Sequence, residues 1–199
     1  RVVHERFITK PSGGKSTGSF TVLNRFETNE GKLICRQTVT HTIRLAKGGW
    51  RLTYDCDFTA PHDFYFGDQE EMGLGVRLAT PLIEKNGGQL YNSARQTSAK
   101  ATWGQPAVWC DYSGEIDGRW VGVTIMDNGK TPRVPWWHNR NYGLMVANQF
   151  GRDAMRQGEK SKLNVQTGST LQLSFTVIIH EHENVKPDER AAILGELTQ

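Results

Sequence analysis

Residues 50–59 read Trp50-Arg51-Leu52-Thr53-Tyr54-Asp55-Cys56-Asp57-Phe58-Thr59. Apolar or aromatic side chains occupy every second position, and polar side chains occupy the positions between them. This period of two indicates a strand with one buried face and one solvent-facing face. The same alternation recurs along 33–45, 121–125 and 171–179. Because antiparallel sheets show such alternation and parallel sheets rarely do, we predict an all-β, antiparallel fold.

Turn residues separate the alternating runs. Lys47-Gly48-Gly49 lies between two of them, which predicts a hairpin. Asp117-Gly118 predicts a second hairpin that joins 107–114 to 119–126. Helix signals are scarce, and the strongest covers 187–196, where a proline suits the first turn. We therefore predict an antiparallel β-sandwich with a short C-terminal helix.

Length and charge limit the classes of protein and partner. The 199 residues fit one large domain better than two, so we expect a single β-sandwich domain over 1–199. Hydrophobic residues make up 37%, and no apolar run reaches the roughly 18 residues of a membrane span. The net charge is only +3, with scattered Lys and Arg, which argues against nucleic acid as the main partner. We expect a soluble protein, periplasmic or secreted, with a cytoplasmic location as the alternative.

The three cysteines, Cys35, Cys56 and Cys110, do not form a disulfide framework. Our interpretation is three buried thiols, which behave as small apolar side chains. A bridge between Cys35 and Cys56 stays open if their strands are neighbours. The cysteines therefore leave the cellular compartment undecided.

The segment 132–143 interrupts the strand rhythm and concentrates binding groups. It contains two prolines, which predict an ordered loop between strands. Aromatic faces stack on flat ligands such as sugars, a guanidinium binds carboxylate or phosphate, and an imidazole moves a proton near neutral pH. The candidate residues of this loop are Trp136, Trp137, His138, Arg140 and Tyr142. A loop that only caps the core is the alternative.

A second stretch, 66–77, carries three carboxylates in four positions, at Asp68, Glu70 and Glu71. In an extended chain, Asp68 and Glu70 point the same way. Paired carboxylates serve as acid and base in glycoside hydrolysis, and they also hold hard metal ions. A solvated turn is the alternative interpretation.

Two further candidate sites each lie within one predicted strand. Asp111-Tyr112 ends a strand and presents an acid and a phenol, although a hairpin shoulder explains the pattern equally well. His180 and His182 share one face of a strand end, a spacing that suits a transition metal. Val177 and Ile179 set the inward parity, so we expect both histidines to point away from the core into solvent. We therefore predict no metal site.

The order of these motifs resembles an uncharacterised bacterial family whose members are often labelled "methane oxygenase PmoA-like". The resemblance covers most of the chain, from about Arg1 to His180. It rests on Gly67-Asp68-x-Glu70-Glu71-x-Gly73-x-Gly75-x-Arg77, Trp109-x-Asp111-Tyr112-Ser113-Gly114, Trp137-His138-x-Arg140-x-Tyr142-Gly143 and Asn148-Gln149-Phe150-Gly151, where Gln149 replaces the family's proline.

The resemblance implies a soluble β-sandwich, similar to the mutarotase-like folds and often associated with carbohydrate use. A true particulate methane monooxygenase subunit is an integral membrane protein, so the label does not suit a chain without a spanning segment. Family members also carry an upstream, His-rich portion. We therefore expect the chain to be the C-terminal portion of a longer architecture, with part of the site outside it.

Three functional hypotheses follow, and the expected partner is a small carbohydrate or an oligosaccharide. The first is a glycoside hydrolase or sugar epimerase without a cofactor, in which His138 moves a proton and Asp68 or Glu70 is the partner acid or base. The second is a carbohydrate-binding module, which needs only the aromatic loop. The third is a metal-dependent oxygenase. The expected substrate-binding residues are Trp136, Trp137, Arg140, Tyr142, Arg77, Asp111 and Tyr112.

Overall fold

The computed structural model describes residues 1–198, and strands dominate it. The elements in chain order are Val2–Gly13 (β1), Thr17–Glu27 (β2), Leu33–Ala46 (β3), Gly49–Thr59 (β4), Phe64–Phe66 (β5), Leu74–Arg77 (β6), Gln89–Asn92 (β7), Ala99–Thr102 (α1), Trp109–Ile116 (β8), Arg119–Asp127 (β9), Trp136–Asn139 (β10), Leu144–Asn148 (β11), Leu163–Val165 (β12), Thr170–Glu183 (β13) and Arg190–Leu197 (α2). Two 3₁₀ turns, Thr80–Leu82 and Glu84–Asn86, lie between β6 and β7.

Eight strands form the main sheet, in the order β1-β2-β3-β4-β13-β9-β8-β7, and every neighbouring pair is antiparallel. A three-stranded sheet, β10-β11-β6, and a two-stranded sheet, β12-β5, complete the strands of the described residues. The predicted all-β, antiparallel β-sandwich with a short C-terminal helix is confirmed.

The alternating pattern produces the core because side chains directly opposite each other on paired strands share one face of the sheet. Val39 lies opposite Cys56, and Cys56 lies opposite Leu173, so one row of buried side chains crosses β3, β4 and β13. The smaller sheets add Trp137, Met145 and other residues to the same cluster. We call this face of the main sheet the core face.

Both predicted hairpins are present. Lys47 and Gly48 connect β3 to β4. Asp117 and Gly118 connect β8 to β9, with φ values of 51° and 73°. Two successive positive φ values match the tight turn that suits the twist of a hairpin.

The segment 132–143 is more regular than we predicted. Trp136–Asn139 is strand β10, which pairs with β11, and only 140–143 forms the connecting turn. The loop prediction was wrong here because Pro132 and Pro135 both precede the strand, where they remove no ladder hydrogen bond. The turn closes through the Arg140 N–H, which donates to the Leu144 carbonyl at 2.9 Å.

The three cysteines are buried thiols, as interpreted from the sequence. β3 and β4 are neighbours, but the register places Cys56 opposite Val39 and not opposite Cys35. The two sulfurs therefore sit at different levels of the sheet, and no bridge forms between them. Burial raises the pKa of Cys35 to about 11 and that of Cys56 to about 12.

Helix α2 confirms the predicted C-terminal helix, although it begins at Arg190 and not at position 187. None of the helices of residues 1–198 is long and apolar enough to cross a membrane.

Candidate functional site

Two hydrogen-bond donors and one imidazole nitrogen surround one carboxylate oxygen, Oε1 of Glu70. The Arg140 guanidinium donates to it at 2.5 Å through Nη2, and the Trp103 indole donates at 2.9 Å through Nε1. His138 Nδ1 lies 3.1 Å from the same oxygen. Glu70 belongs to the loop before β6, Trp103 directly follows α1, and His138 and Arg140 come from β10 and its turn. The fold therefore assembles this site from three distant parts of the chain.

The Asn148 side chain fixes the loop that carries Glu70. Its Nδ2 donates to the carbonyls of Gln69 and Glu70, each at 2.8 Å. Its Oδ1 accepts from the N–H groups of Phe150 and Gly151, at 2.7 and 2.9 Å. A Cβ on Gly151 would lie 2.3 Å from the Gln69 oxygen, so this close approach requires glycine.

His138 is completely buried, and it supports Glu70 from behind. Its Nδ1 lies close to the Glu70 oxygen but without the alignment of a hydrogen bond. Burial lowers the pKa of His138, and the opposing effect of the Glu70 charge does not reverse that direction. The ring is therefore neutral at pH 7, and no solvent-exposed atom of it is available to meet a ligand.

A pocket of about 390 Å³ opens beside this cluster. Ligand sites in proteins commonly have volumes of roughly 300–1,000 Å³, so the pocket is large enough for a small molecule. The Arg140 guanidinium lies 5.7 Å from the centre of the Trp103 ring, which fixes both side chains on the pocket wall. The lining residues are Glu84, Ala99, Lys100, Trp103, Asn139, Arg140 and Asn141.

The pocket wall is mixed in character. Lys100 and Asn141 are exposed, whereas Glu84 accepts the Ala99 N–H at 2.9 Å through Oε1. Asn139 is buried, and its Oδ1 has no hydrogen-bond partner among residues 1–198. The wall thus offers acceptors, donors and one aromatic ring in a small volume.

The structure gives Asp68 a structural position. Its carboxylate accepts the N–H groups of Asp153, Ala154 and Ser161, at 2.9, 2.9 and 2.6 Å. Burial alone would raise the pKa of Asp68, but these three backbone donors outweigh it and hold the pKa below its ordinary value. Asp68 and Glu70 therefore do not act together on one ligand, because Asp68 is committed to the loop 153–161.

The aromatic residues of the predicted stacking wall are dispersed. Trp137 is fully buried, and its Nε1 donates to the Ala107 carbonyl at 2.9 Å, so it offers no face to a ligand. Trp136 is half-buried, with the Arg133 guanidinium 5.8 Å from its ring. Tyr142 is exposed and lies beneath the Arg77 guanidinium at 4.6 Å. Neither these three aromatic residues nor Arg77 lines the pocket beside Glu70.

Tyr112 positions the pocket from the core. It is fully buried, and its hydroxyl accepts the Glu84 N–H at 2.8 Å. The same hydroxyl donates to the Arg140 carbonyl at 3.4 Å. Two lining residues are therefore attached to one buried phenol.

The expectation that His180 points into solvent was wrong. His180 does face away from the core face, but it is 2% exposed and its Nε2 lies 2.8 Å from Asp111 Oδ1. Helix α2 covers this back face, which the sequence parity did not reveal. Asp111 is likewise fully buried, away from the pocket. Within residues 1–198, no group of three or more metal-ligating side chains is placed to hold an ion.

Sequence reasoning missed much of the pocket. Trp103, Lys100 and Glu84 lie in or next to short helical turns between β6 and β8. The available signal was Ser98, whose side chain caps α1 by accepting the Ala101 N–H at 3.3 Å. That short helix places Trp103 directly at the pocket wall.

A search of curated proteins finds no match to this chain. Eight chains of solved structures match it, among them a galactose mutarotase-like protein from Lactobacillus casei ATCC 334. That structure is 11% identical in sequence, with a TM-score of 0.43 over 86% of this chain and 73% of the other. A family model described as "Family of unknown function (DUF6807)" matches residues 1–194, and its description does not support the methane oxygenase label. The chain therefore belongs to this DUF6807 family.

Proposed function

We propose that this protein binds a carbohydrate in the pocket beside Glu70. The observation that carries the proposal is a 390 Å³ pocket whose wall contains Trp103 and Arg140, both of which donate to Glu70 beside it. A sugar ring has apolar C–H faces and a rim of hydroxyls, so it needs an aromatic surface beside fixed hydrogen-bonding groups. This wall provides both.

Four residues in or beside the pocket have definite roles in the proposed complex. Trp103 provides the stacking surface, and its indole N–H is already held by Glu70. Glu70 Oε1 is occupied by its donors, whereas Oε2 accepts no hydrogen bond from residues 1–198 and is free to accept a sugar hydroxyl. Lys100 and Asn141 are exposed and bind further hydroxyls at the entrance.

Catalysis is a finer proposal on the same pocket. Glu70 is partly exposed, with 32% of its side chain accessible, and its Oε2 accepts no hydrogen bond from residues 1–198, so it is our candidate acid or base for glycoside hydrolysis or epimerisation. His138 is a positioning residue in this version, because its buried, neutral ring lies directly behind Glu70 and does not contact the substrate. Without that chemistry, the same pocket describes a carbohydrate-binding module.

Ligand-observed NMR with a panel of mono- and disaccharides tests the binding proposal. We expect saturation transfer to at least one sugar, with Trp103→Ala weakening its affinity by about tenfold or more, since one aromatic stacking surface is lost. The matched control is Tyr65→Ala, because Tyr65 is an aromatic residue that is 58% exposed and does not line this pocket. Equal losses in both variants, or no sugar bound at all, would refute the proposal.

Turnover of the bound sugar distinguishes an enzyme from a carbohydrate-binding module. In an enzyme, Glu70→Gln loses activity by orders of magnitude while sugar affinity changes little, because the amide keeps the size of the side chain. Sugar that stays chemically unchanged after prolonged incubation with the wild-type protein excludes the catalytic version and leaves the binding module.

A further inference from the structure

The back face of the main sheet contains a buried carboxylate–histidine pair outside the proposed binding pocket. Asp111 on β8 and His180 on β13 are separated by strand β9, and both side chains are inaccessible to solvent. His180 Nε2 lies 2.8 Å from Asp111 Oδ1, which also accepts the Thr124 hydroxyl at 2.8 Å. The pair therefore spans three strands beneath the surface.

Gly122 on β9 makes this contact possible. A Cβ at position 122 would lie 2.8 Å from His180 Nε2 and 2.4 Å from the Cβ of Ser113. The missing side chain leaves room for the imidazole to cross over β9. Gly122 therefore allows the His180 ring to be buried on the back face.

His182 and Trp120 extend the cluster toward helix α2. The centre of the His182 ring lies 5.5 Å from the centre of the His180 ring and 5.4 Å from that of the Trp120 ring. Five buried polar atoms of this region have no hydrogen-bond partner within residues 1–198. They are Asp111 Oδ2, His180 Nδ1, His182 Nε2, Trp120 Nε1 and Arg190 Nε. Buried polar atoms without a protein hydrogen-bond partner are uncommon in folded proteins, and these five are grouped in one region.

Helix α2 covers this cluster through few attachments. Leu194 is buried, the Arg190 guanidinium lies 5.6 Å from the Trp120 ring centre, and Arg51 Nη2 donates to the Leu197 carbonyl at 2.6 Å. The helix has eight residues, too short to be stable in isolation, so it depends on these contacts.

We propose that helix α2 is an acid-sensitive cover, released from the back face when His182 takes up a proton. In the covered state, a charged imidazolium would lie beside His180 and Trp120 with its Nε2 shielded from water. In the released state, water solvates the same charge. Acid therefore favours release, which exposes Trp120 and the buried side of Leu194.

The charged groups around His182 change its pKa in opposite directions, so burial decides the direction of the net pKa change. Burial lowers the pKa of His182, the neighbouring His180 lowers it further, and Asp111 and Glu181 act in the opposite sense. The charged or titratable groups around it are Asp111 on β8, His180 and Glu181 on β13, Lys47 in the β3–β4 turn, Arg51 on β4, and Arg190 and Glu196 on α2.

The direction of the pKa change sets the pH window. The pKa of His182 is lower in the covered state. Neutral His182 therefore makes its full contribution to the stability of the covered state at pH values above the ordinary pKa of 6.5. The contribution is lost as the pH falls from 6.5 through the lowered pKa. Over that interval, the equilibrium constant for release rises by up to about tenfold per pH unit.

Native-state hydrogen exchange of the intact protein at pH 7.5 and pH 5.5 measures this release. We expect the protection factors of the α2 amides to fall by about tenfold at pH 5.5, while those of β3 and β4 stay constant. In His182→Gln, the protection of α2 should not depend on pH. The matched control is His4→Gln, at an exposed histidine on β1, which should behave as the wild type does.

The NMR titration of the His182 ring in the wild-type protein provides a second measurement that needs no variant. Its midpoint should lie below 6.5, and the loss of α2 protection should level off below that midpoint. Protection that is equal at both pH values, a loss that persists in His182→Gln, or a ring midpoint at or above 6.5 would each overturn the proposal.

Discussion

Two carboxylate–histidine pairs occur in this protein, and they differ in access to solvent. Glu70 lies beside His138 at the edge of a pocket, where the carboxylate is 32% exposed and the histidine is buried behind it. Asp111 lies beside His180 under helix α2, where both partners are fully buried. The residue types are nearly the same, but only the Glu70 pair leaves an oxygen free for an incoming molecule.

The difference shows that the surroundings of a pair, and not its chemistry alone, decide its role. Arg140 and Trp103 neutralise and orient Glu70 from the solvent side, so that side chain stays both fixed and accessible. Thr124 and His180 hold Asp111 from within the sheet, so that carboxylate stabilises the fold. We therefore assign ligand binding to the first pair and support of the back face to the second.

Breaking the buried pair should have the largest effect on stability. Asp111→Ala leaves His180 without its partner in a sealed site, which costs about 3–5 kcal/mol of unfolding free energy. Glu70→Ala removes a partly exposed side chain and should cost less than about 1 kcal/mol. Urea unfolding of both variants measures the two values. Equal losses would remove the distinction between the pairs.

The second prediction concerns Asp68, the carboxylate two positions from Glu70. Asp68→Ala removes the acceptor of three backbone N–H groups, so we expect a loss of about 1–3 kcal/mol without a change in sugar affinity. The lowered pKa of Asp68 gives stability that is present above pH 3.8 and disappears as the pH falls through the lowered value. Asp68→Asn should therefore flatten the acid limb of the stability curve. A loss of affinity in these variants would place Asp68 in the binding site after all.

The fold was largely predictable because it depends on the period of two. The run 50–59 and the Asp117-Gly118 turn identify antiparallel strands and a hairpin without any tertiary information. The cover over His180 was not predictable, since the docking of α2 depends on tertiary contacts of Leu194 and Arg51. Parity reports which face a side chain occupies, but it does not report what lies on that face.

The third prediction separates the aromatic surface of Trp103 from its N–H. Trp103→Phe keeps an aromatic ring but removes the donor that holds Glu70 Oε1. We expect sugar affinity to fall by about threefold to tenfold, the effect of one hydrogen bond. Isothermal titration calorimetry measures the change, with Trp103→Ala for comparison. A Phe variant as weak as the Ala variant would mean that ring stacking contributes nothing.

The smallest effect should come from Tyr142, which the sequence predicted to be part of a binding loop. Tyr142→Ala removes an exposed ring that lies under Arg77 and does not line the pocket, so sugar affinity and unfolding free energy should both stay nearly unchanged. The same calorimetric titration checks this expectation. A marked loss of affinity would restore the turn of 140–143 as part of the binding surface.

The candidate site was only partly predictable. Glu70, His138 and Arg140 were identified from residue type and density in short stretches, and the fold does bring them together. Trp103 was not identified, because its segment has no strand alternation and no cluster of carboxylates or histidines. Trp137 was expected to stack on a ligand, but a large aromatic residue on a strand packs equally well into a core.

A crystal structure of the protein soaked with a mixture of sugars tests the central claim most directly. The account predicts sugar density against the Trp103 ring, with a hydroxyl within hydrogen-bond distance of Glu70 Oε2. Density that lies instead on Trp136 or Tyr142, with the pocket beside Glu70 empty, would contradict it.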